Sequence, residues 1–390
     1  MRETRKLKYL CYILDEYRKP ISAEKRNQNS DMLYDYYGAS GAIDKIDGYT
    51  IDDHVMLIGE DGANLVFRNL PLMYEVNGKA WINNHAHILK PREDVDFYYL
   101  FYALENADIF PFVTGSAQPK LNQENLKLIP IPITNYETQK HIASFIKSKC
   151  KRIDSLITDI QSQIEALEEY KRSVITEAVT KGLDPDVEMR DSGVQWIGEI
   201  PTHWTLIRIG SLYGLRTQKV NDVDYPPLSV TKMGVLPQLD TVAKTNAHDD
   251  RKLVVKGDFV INSRSDRRGS CGISDYTGSV SLINTVLFPI TEMNPRYYNW
   301  YFHTVGFADE FYRWGHGIVD DLWTTGWHDM KNILISVPSL DEQQRIADYL
   351  DSKCAEIDNI ITEKKQQIET IEEYKKSLIF EYVTGKKEVV

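Results

Sequence analysis

Three arginines within five residues have a chemistry of their own. In NSRSDRRGS (262–270), Arg264, Arg267 and Arg268 follow a predicted strand at 259–261 in a Gly/Ser setting. A guanidinium is a planar fork of donors that fits both a phosphate and the O6/N7 edge of guanine. The cluster is therefore a candidate DNA contact, to be weighed against a merely solvated loop. Asp266 inside it either orients an arginine or accepts from cytosine N4. In the first half of the chain, GEDGANLVFRN (59–69) occupies the corresponding place after a strand and offers Asn64, Arg68 and Asn69 as donors. Asn suits the N6/N7 edge of adenine, but Glu60 and Asp61 would repel phosphate, so a structural turn competes. GSAQPKLNQ (115–123) adds Ser116, Gln118 and Lys120, and the matching GHGIVDDLW (315–323) adds His316 but no lysine. These two loops either close over DNA or brace each domain.

Catalytic and metal chemistries fit less well. His85 and His87 in NNHAH would share one face of a strand, as metal ligands sometimes do, but no carboxylate or cysteine partner stands at a suitable spacing. Core or surface histidines are the better reading, and neither a metal nor a cofactor is expected. NPRY at 294–297 is close to the Asn-Pro-Pro-Tyr signature with which adenine methyltransferases hold a flipped base. Arg296 breaks its apolar loop, and no Gly-rich cofactor turn follows a strand upstream, so a turn opening a helix is the simpler account. There is no GxxxxGK[ST] phosphate loop, and Pro185-Asp186 lacks the acid and lysine of a metal nuclease. No catalytic residue is assigned, and any catalysis must come from partners.

The elements that would carry these loops come in duplicate. A fixed offset of 204 aligns residues 137–182 with 341–386, with roughly half the positions identical, as in EEYKRSVITEAVT (168–180) and EEYKKSLIFEYVT (372–384). In the first copy Ile153, Ile157, Ile160, Ile164 and Leu167 follow a 4-3 spacing, and the second copy repeats it with Ile357, Ile361, Ile368, Ile371 and Leu378. That is a heptad seam. A helix with so narrow a stripe cannot bury it alone, so the two copies are expected to pair antiparallel, although each could instead pack on its own domain. Ahead of each arm, short β-branched runs at 55–58, 87–89, 253–255, 259–261 and 282–288 predict strands, and FYYLFYAL (97–104) is echoed by RYYNWYFH (296–303).

These signals divide the chain into a first recognition domain at 1–134, a helical arm at 135–183, a connector and leader at 184–203, a second domain at 204–340 and a second arm at 341–390. The fold class is α+β: two α/β domains joined by two long arms in an antiparallel coiled coil, a tandem repeat with pseudo-twofold symmetry. A helix of roughly 28 residues is about 42 Å long, comparable with the ~34 Å between DNA half-sites one turn apart. Two unlike domains would then read two unlike half-sites. The net charge of −11 opposes a simple nucleic-acid coat, so positive charge must be local or supplied by partners. With no run of about 18 apolar residues, no secretory leader and four scattered cysteines, neither a membrane span nor a disulfide framework is indicated, and a cytoplasmic location is expected.

End to end, the chain resembles the DNA-specificity subunit of type I restriction-modification enzymes. The residues that carry the likeness are DSGVQWIGEIPTHW (191–204), YYGASGAID (36–44), GEDGANL (59–65), GSAQPKLNQENLKLIPIP (115–132) and PSLDEQQRIADYLDSKCAEID (338–358). The first domain lacks a counterpart of the W-I-G-E-I-P leader. The resemblance implies double-stranded DNA as ligand, two adenine methyltransferase (modification) subunits docked on the arms, and restriction subunits joining that core. A noncatalytic coiled-coil adaptor whose domains bind proteins is the alternative, and a self-contained DNA methyltransferase or nuclease is opposed by the missing motifs.

Overall fold

The structure is a computed structural model that describes residues 2–26, 32–115, 117–238, 249–317 and 323–389. It divides into two compact units, one of Met1–Gln161 with Lys365–Val390 and the other of Ser162–Lys364. The division falls inside two long helices, the first arm Tyr136–Lys181 and the second arm Leu340–Thr384.

The first unit is built on a six-stranded sheet. Its order is Cys11–Ile13, Ala86–Pro91, Ile51–Gly59, Met73–Ile82, Tyr34–Gly38, Gly41–Ile46, antiparallel except where Tyr36 and Tyr37 run parallel to Trp81 and Ile82. The apolar run at 55–58 lies in a central strand buried on both faces. Alternate side chains of a strand point to opposite sides, so Met56 and Ile58 enter one core while Val55 and Leu57 enter another. The first of these cores also takes Tyr99, Leu100, Ala103 and Leu104 from the helix Phe97–Glu105, together with Ile142, Ala143 and Ile146 of the first arm and Leu378, Ile379 and Val383 of the second.

The second unit carries a four-stranded sheet in the order Tyr213–Leu215, Asn284–Pro289, Phe259–Asn262, Cys271–Ile273, with a three-stranded sheet and a hairpin beside it. Its main core is aromatic: Trp204, Tyr213, Phe259, Tyr297, Tyr298, Tyr301, Phe302, Phe307 and Phe311 are all buried. Val174, Ala178 and Val179 of the first arm and Ile346, Ala347 and Leu350 of the second close it. The stretch at 184–203 is more than a connector. Met189–Asp191 pairs with Glu199–Pro201, and Ile197 and Ile200 are buried in this core.

Each domain begins and ends on one ribbon. Glu3–Lys6 pairs antiparallel with Pro130–Ile133, and Thr205–Arg208 with Leu334–Val337, so the strand that enters the domain is held by the strand that leaves it for the arm. A buried glutamine then fixes each arm to the domain helix beside it. Gln139 accepts from the N–H of Asp96 at 2.9 Å and donates to Thr134 O at 2.8 Å. Gln343 accepts from the N–H of Asn294 at 2.9 Å and donates to Pro338 O at 3.1 Å. Asp96 and Asn294 are themselves the N-caps of the helices Phe97–Glu105 and Pro295–Phe302.

Within each unit the arms run antiparallel. In the first, Phe145 meets Tyr382 and Asp154 accepts from Lys375 at 2.6 Å. In the second, Lys364 donates to Gln163 at 2.6 Å and Lys171 to Asp358 at 2.7 Å. Lys171 and Lys375 are counterparts under the 204-residue offset, as are Asp154 and Asp358, so both units use the same clasp. Of the seam residues, Ile160, Ile164, Ile357, Ile361 and Leu378 are buried, while Ile153, Ile157, Leu167, Ile368 and Ile371 are half-buried. Because the clasp groups are partly exposed, each pair is worth only a fraction of a kcal/mol up to about 1. Their weight is in orientation, since a parallel, in-register pairing would set Lys171 against Lys375 and Asp154 against Asp358.

An ion network ties the first unit's loops to its sheet. His87 is buried, with Nδ1 2.7 Å from Asp15 Oδ2 and Nε2 2.8 Å from Leu121 O. Arg18 bridges Asp15 and Glu60, and Glu60 also meets Lys120 at 3.1 Å. Burial pushes the Asp15 carboxyl up, but the hydrogen bond and charge of His87, the Ile88 N–H and Arg18 outweigh it and hold the group below its ordinary value of 3.8.

A denaturant double-mutant cycle on Lys171→Ala and Asp358→Ala should give a coupling of roughly 0.2–1 kcal/mol, and the charge-swapped pair should recover most of the loss. A carboxyl held low in the folded state contributes stability that is complete above its unfolded pKa and is lost as pH falls through the folded one. Melts between neutral pH and pH ~2 should therefore show wild-type stability declining below about pH 4, with a shallower decline in Asp15→Asn.

Candidate nucleic-acid interface

In the second unit the arginine loop leaves the strand Phe259–Asn262 and is held by a second loop. Ser265 N–H donates to Trp323 O and Thr325 N–H donates to Ser263 O, both at 3.0 Å, bracketing an antiparallel bridge between Arg264 and Thr324. His316 and Thr324 exchange backbone hydrogen bonds at 3.1 Å in both directions. Below the bridge, Ser263 and Thr325 are buried, with their hydroxyls bonded to Thr285 and to Phe311 O. The backbone is thus fixed while the side chains stand out.

Arg264, Arg267 and Arg268 are 43, 67 and 53% exposed, and the His316 side chain is 76% exposed. Asp266 serves as an orienting group, accepting from Arg264 Nε at 2.9 Å with Arg267 3.7 Å away. Arg268 pairs with Asp309, and the His316 ring lies 3.6 Å from Asp329. The bridges set Arg264 and His316, 52 residues apart in sequence, on either side of Thr324. His328, also exposed, lies 3.7 Å from the same Asp329 and has no signal in its local sequence.

The first unit repeats the frame. Leu121 N–H donates to Glu60 O at 2.7 Å and Gly62 N–H to Pro119 O at 3.0 Å, around an antiparallel bridge between Asp61 and Lys120. Thr114 and Lys120 exchange backbone bonds at 2.8 and 2.7 Å, as His316 and Thr324 do. The side chains on this frame differ. Lys120 and Gln118 are exposed, Lys120 with Glu60 as its partner, and Asn69 is exposed. Ser116 lies outside the described residues.

Two candidates change role. Asn64 spends both ends of its amide on its own loop, accepting from Leu70 N–H at 2.8 Å and donating to Pro71 O at 3.0 Å. Arg68 adopts φ +53° and donates to Glu105 O at 2.9 Å and Ala107 O at 2.6 Å, closing the end of the helix Phe97–Glu105. Both side chains are thus engaged on backbone groups of their own domain. The expected histidine pair also separates. His87 is the buried centre of the ion network, whereas His85 precedes the strand, is half exposed and has Nδ1 2.7 Å from Asp61 Oδ2.

The near-methyltransferase motif is a helix cap. Asn294 accepts from the N–H groups of Arg296 and Tyr297, and Arg296 donates to Asp348 and Asp351 of the second arm, each at 2.6 Å. Among the described residues no cluster of three or more His, Cys, Asp or Glu could hold a metal, and no helix is long and apolar enough to cross a membrane.

Comparison with known proteins places this geometry. The family model for the type I restriction modification DNA specificity domain matches twice, at residues 2–166 and 203–370. A putative type I restriction enzyme specificity subunit of Haemophilus influenzae is 32% identical over 144 residues, 37% of this chain and 36% of that protein, so the match spans about a third of that relative. The putative MjaX specificity subunit of Methanocaldococcus jannaschii is 28% identical over 317 residues, covering 77% of this chain and 70% of the relative. Among solved structures, a chain from work on complex assembly and conformational transition of the type I R-M system superposes with a TM-score of 0.67 at 14% identity, covering 99% of this chain and 98% of that one. The HsdS subunit of Thermoanaerobacter tengcongensis gives 0.50 at 13% identity, over 99% and 97%. These likenesses carry the fold, and the doubled family match carries the membership. The chain belongs to the type I restriction-modification DNA specificity family.

Proposed function

We propose that this chain is the noncatalytic, cytoplasmic DNA-reading subunit of a type I restriction-modification complex, in which each domain reads one half of a bipartite, asymmetric site. The observation that carries this reading is the doubled loop frame. The same pair of clipped loops occurs in both units, with Asp61 and Lys120 in one and Arg264 and Thr324 in the other. A common frame bearing unlike side chains suits two unlike half-sites. The local cations of the second frame answer the acidic total, because the field at the contact face governs phosphate attraction.

The arms favour two docked copies of one partner. Seam identities follow from packing alone, but Glu169, Tyr170 and Ser173 also recur as Glu373, Tyr374 and Ser377, and all six are exposed. The same surface offered twice suits two modification subunits acting on adenine, with restriction subunits joining that core. A protein-binding adaptor would share such arms but would ignore duplex sequence.

Methylated adenines mapped with and without this gene should include a split motif with a constant gap that vanishes on deletion. Deleting one heptad from both arms should shorten the permitted gap and leave each half-motif intact. In filter or anisotropy titrations of the assembled complex, Arg267→Ala should weaken all duplexes alike and lower the salt slope by about 1. Arg264→Ala, whose guanidinium is oriented by Asp266, should cost about 1–3 kcal/mol and relax preference at one base pair.

A further inference from the structure

His85 is a half-exposed side chain on a rigid turn, with one ring nitrogen engaged. It lies in the turn between the strands Met73–Ile82 and Ala86–Pro91, and its backbone is pinned on both sides. Its N–H donates to Oδ1 of the buried Asn83 at 2.8 Å, and its carbonyl accepts from the N–H of Glu60 at 2.8 Å. Asn83 is anchored in turn through its own N–H to Tyr37 O at 3.1 Å. The side chain is nonetheless half exposed. Asp61 fixes the ring through Nδ1 at 2.7 Å, and Nε2 has no hydrogen-bond partner among the described residues.

In both units an acid orients an exposed nitrogen donor beside the loop bridge, with the roles exchanged. In the second unit the bridge residue Arg264 is exposed and oriented by Asp266, and in the first the bridge residue Asp61 orients an exposed imidazole. The groups around His85 hold it in place from below. Glu60, next to Asp61, is bound by Arg18 and Lys120, and Arg18 and His87 both reach Asp15. An ordinary surface pair of two mobile side chains gains little from its contact. In this pair one partner stands on a doubly anchored turn and the other on the loop bridge, so the geometry exists before any ligand arrives, which lowers the ordering cost of binding.

We propose that His85, oriented by Asp61, is a DNA-contacting residue of the first recognition domain, presenting its Nε2 edge to the duplex. Asp61, which from sequence alone counts against phosphate, is on this account an aiming group. The inference rests on the DNA-reading function proposed above and adds to the first domain a contact that Asn64 and Arg68 do not provide.

The test uses the assembled specificity and methyltransferase complex and a randomised duplex library, with binding and methylation both read out. Asn places its amide nitrogen near the Nδ1 position of His, and Gln places its amide near Nε2, so the two substitutions separate the roles. The expected result is that His85→Ala and His85→Asn weaken binding of the selected site about tenfold or more, the size of one lost base contact. His85→Gln should remain close to wild type, and melting behaviour should be unchanged throughout. Loss confined to one base pair of one half-motif assigns the contact to a base edge, and loss spread over all duplexes with a smaller salt slope assigns it to phosphate. Wild-type behaviour of all three variants, or rescue by Asn and not by Gln, overturns the proposal. A wild-type complex that selects no split motif instead overturns the function on which it rests.

Discussion

An apolar stripe too narrow to be buried by its own helix is the constraint from which the rest of this structure follows. Each arm offers one, and the chain satisfies both by laying its two copies against each other in opposite directions. At the domain ends the stripe merges with the cores. Ile142, Ala143 and Ile146 share theirs with Leu378, Ile379 and Val383, and Val174, Ala178 and Val179 share theirs with Ile346, Ala347 and Leu350. The clasp of lysine and aspartate adds little energy beside this burial, but it penalises the orientation that would set like charges together. Gln139 and Gln343 then convert a packed helix into a fixed joint, because a buried amide must keep both its donor and its acceptor engaged.

Duplication explains why two different sets of exposed side chains rest on one frame. What the repeat preserves is backbone: an entering strand paired to a leaving strand, a capped helix held by a glutamine, and two loops joined by a short antiparallel bridge. None of these features depends on the identity of exposed side chains. Asp61 can therefore stand where Arg264 stands and Lys120 where Thr324 stands without disturbing the bridge. The exposed side chains diverge at positions that stability does not constrain.

The parts of this architecture that were legible in the sequence are those set by local periodicity. The heptad spacing of Ile153, Ile157, Ile160 and Ile164 and the β-branched run at 55–58 announce an arm and a buried strand because adjacent residues share one environment. The joining of the two loops left no such trace, since the bridges Asp61–Lys120 and Arg264–Thr324 link residues about 60 apart. Asn64 and Arg68 read as free donors because a polar side chain looks the same in sequence whether it faces solvent or closes a stranded carbonyl. In sequence the two histidines look like strand neighbours with a period of two. His85 belongs to the turn before the strand, where that period does not apply, so one ring is buried and the other half exposed.

The polypeptide is made in an order that its first unit cannot follow. The first unit is completed by the second arm: Arg2 N–H donates to Thr384 O at 3.1 Å, and the Tyr99 hydroxyl donates to Val383 O at 3.2 Å. A ribosome delivers Tyr99 long before it delivers Val383. Throughout that interval the nascent first domain has an open flank lined by Ile142, Ala143 and Ile146. Completion of this domain awaits synthesis of the second arm, and a product truncated before Leu378, Ile379 and Val383 would expose a sticky surface rather than a finished half.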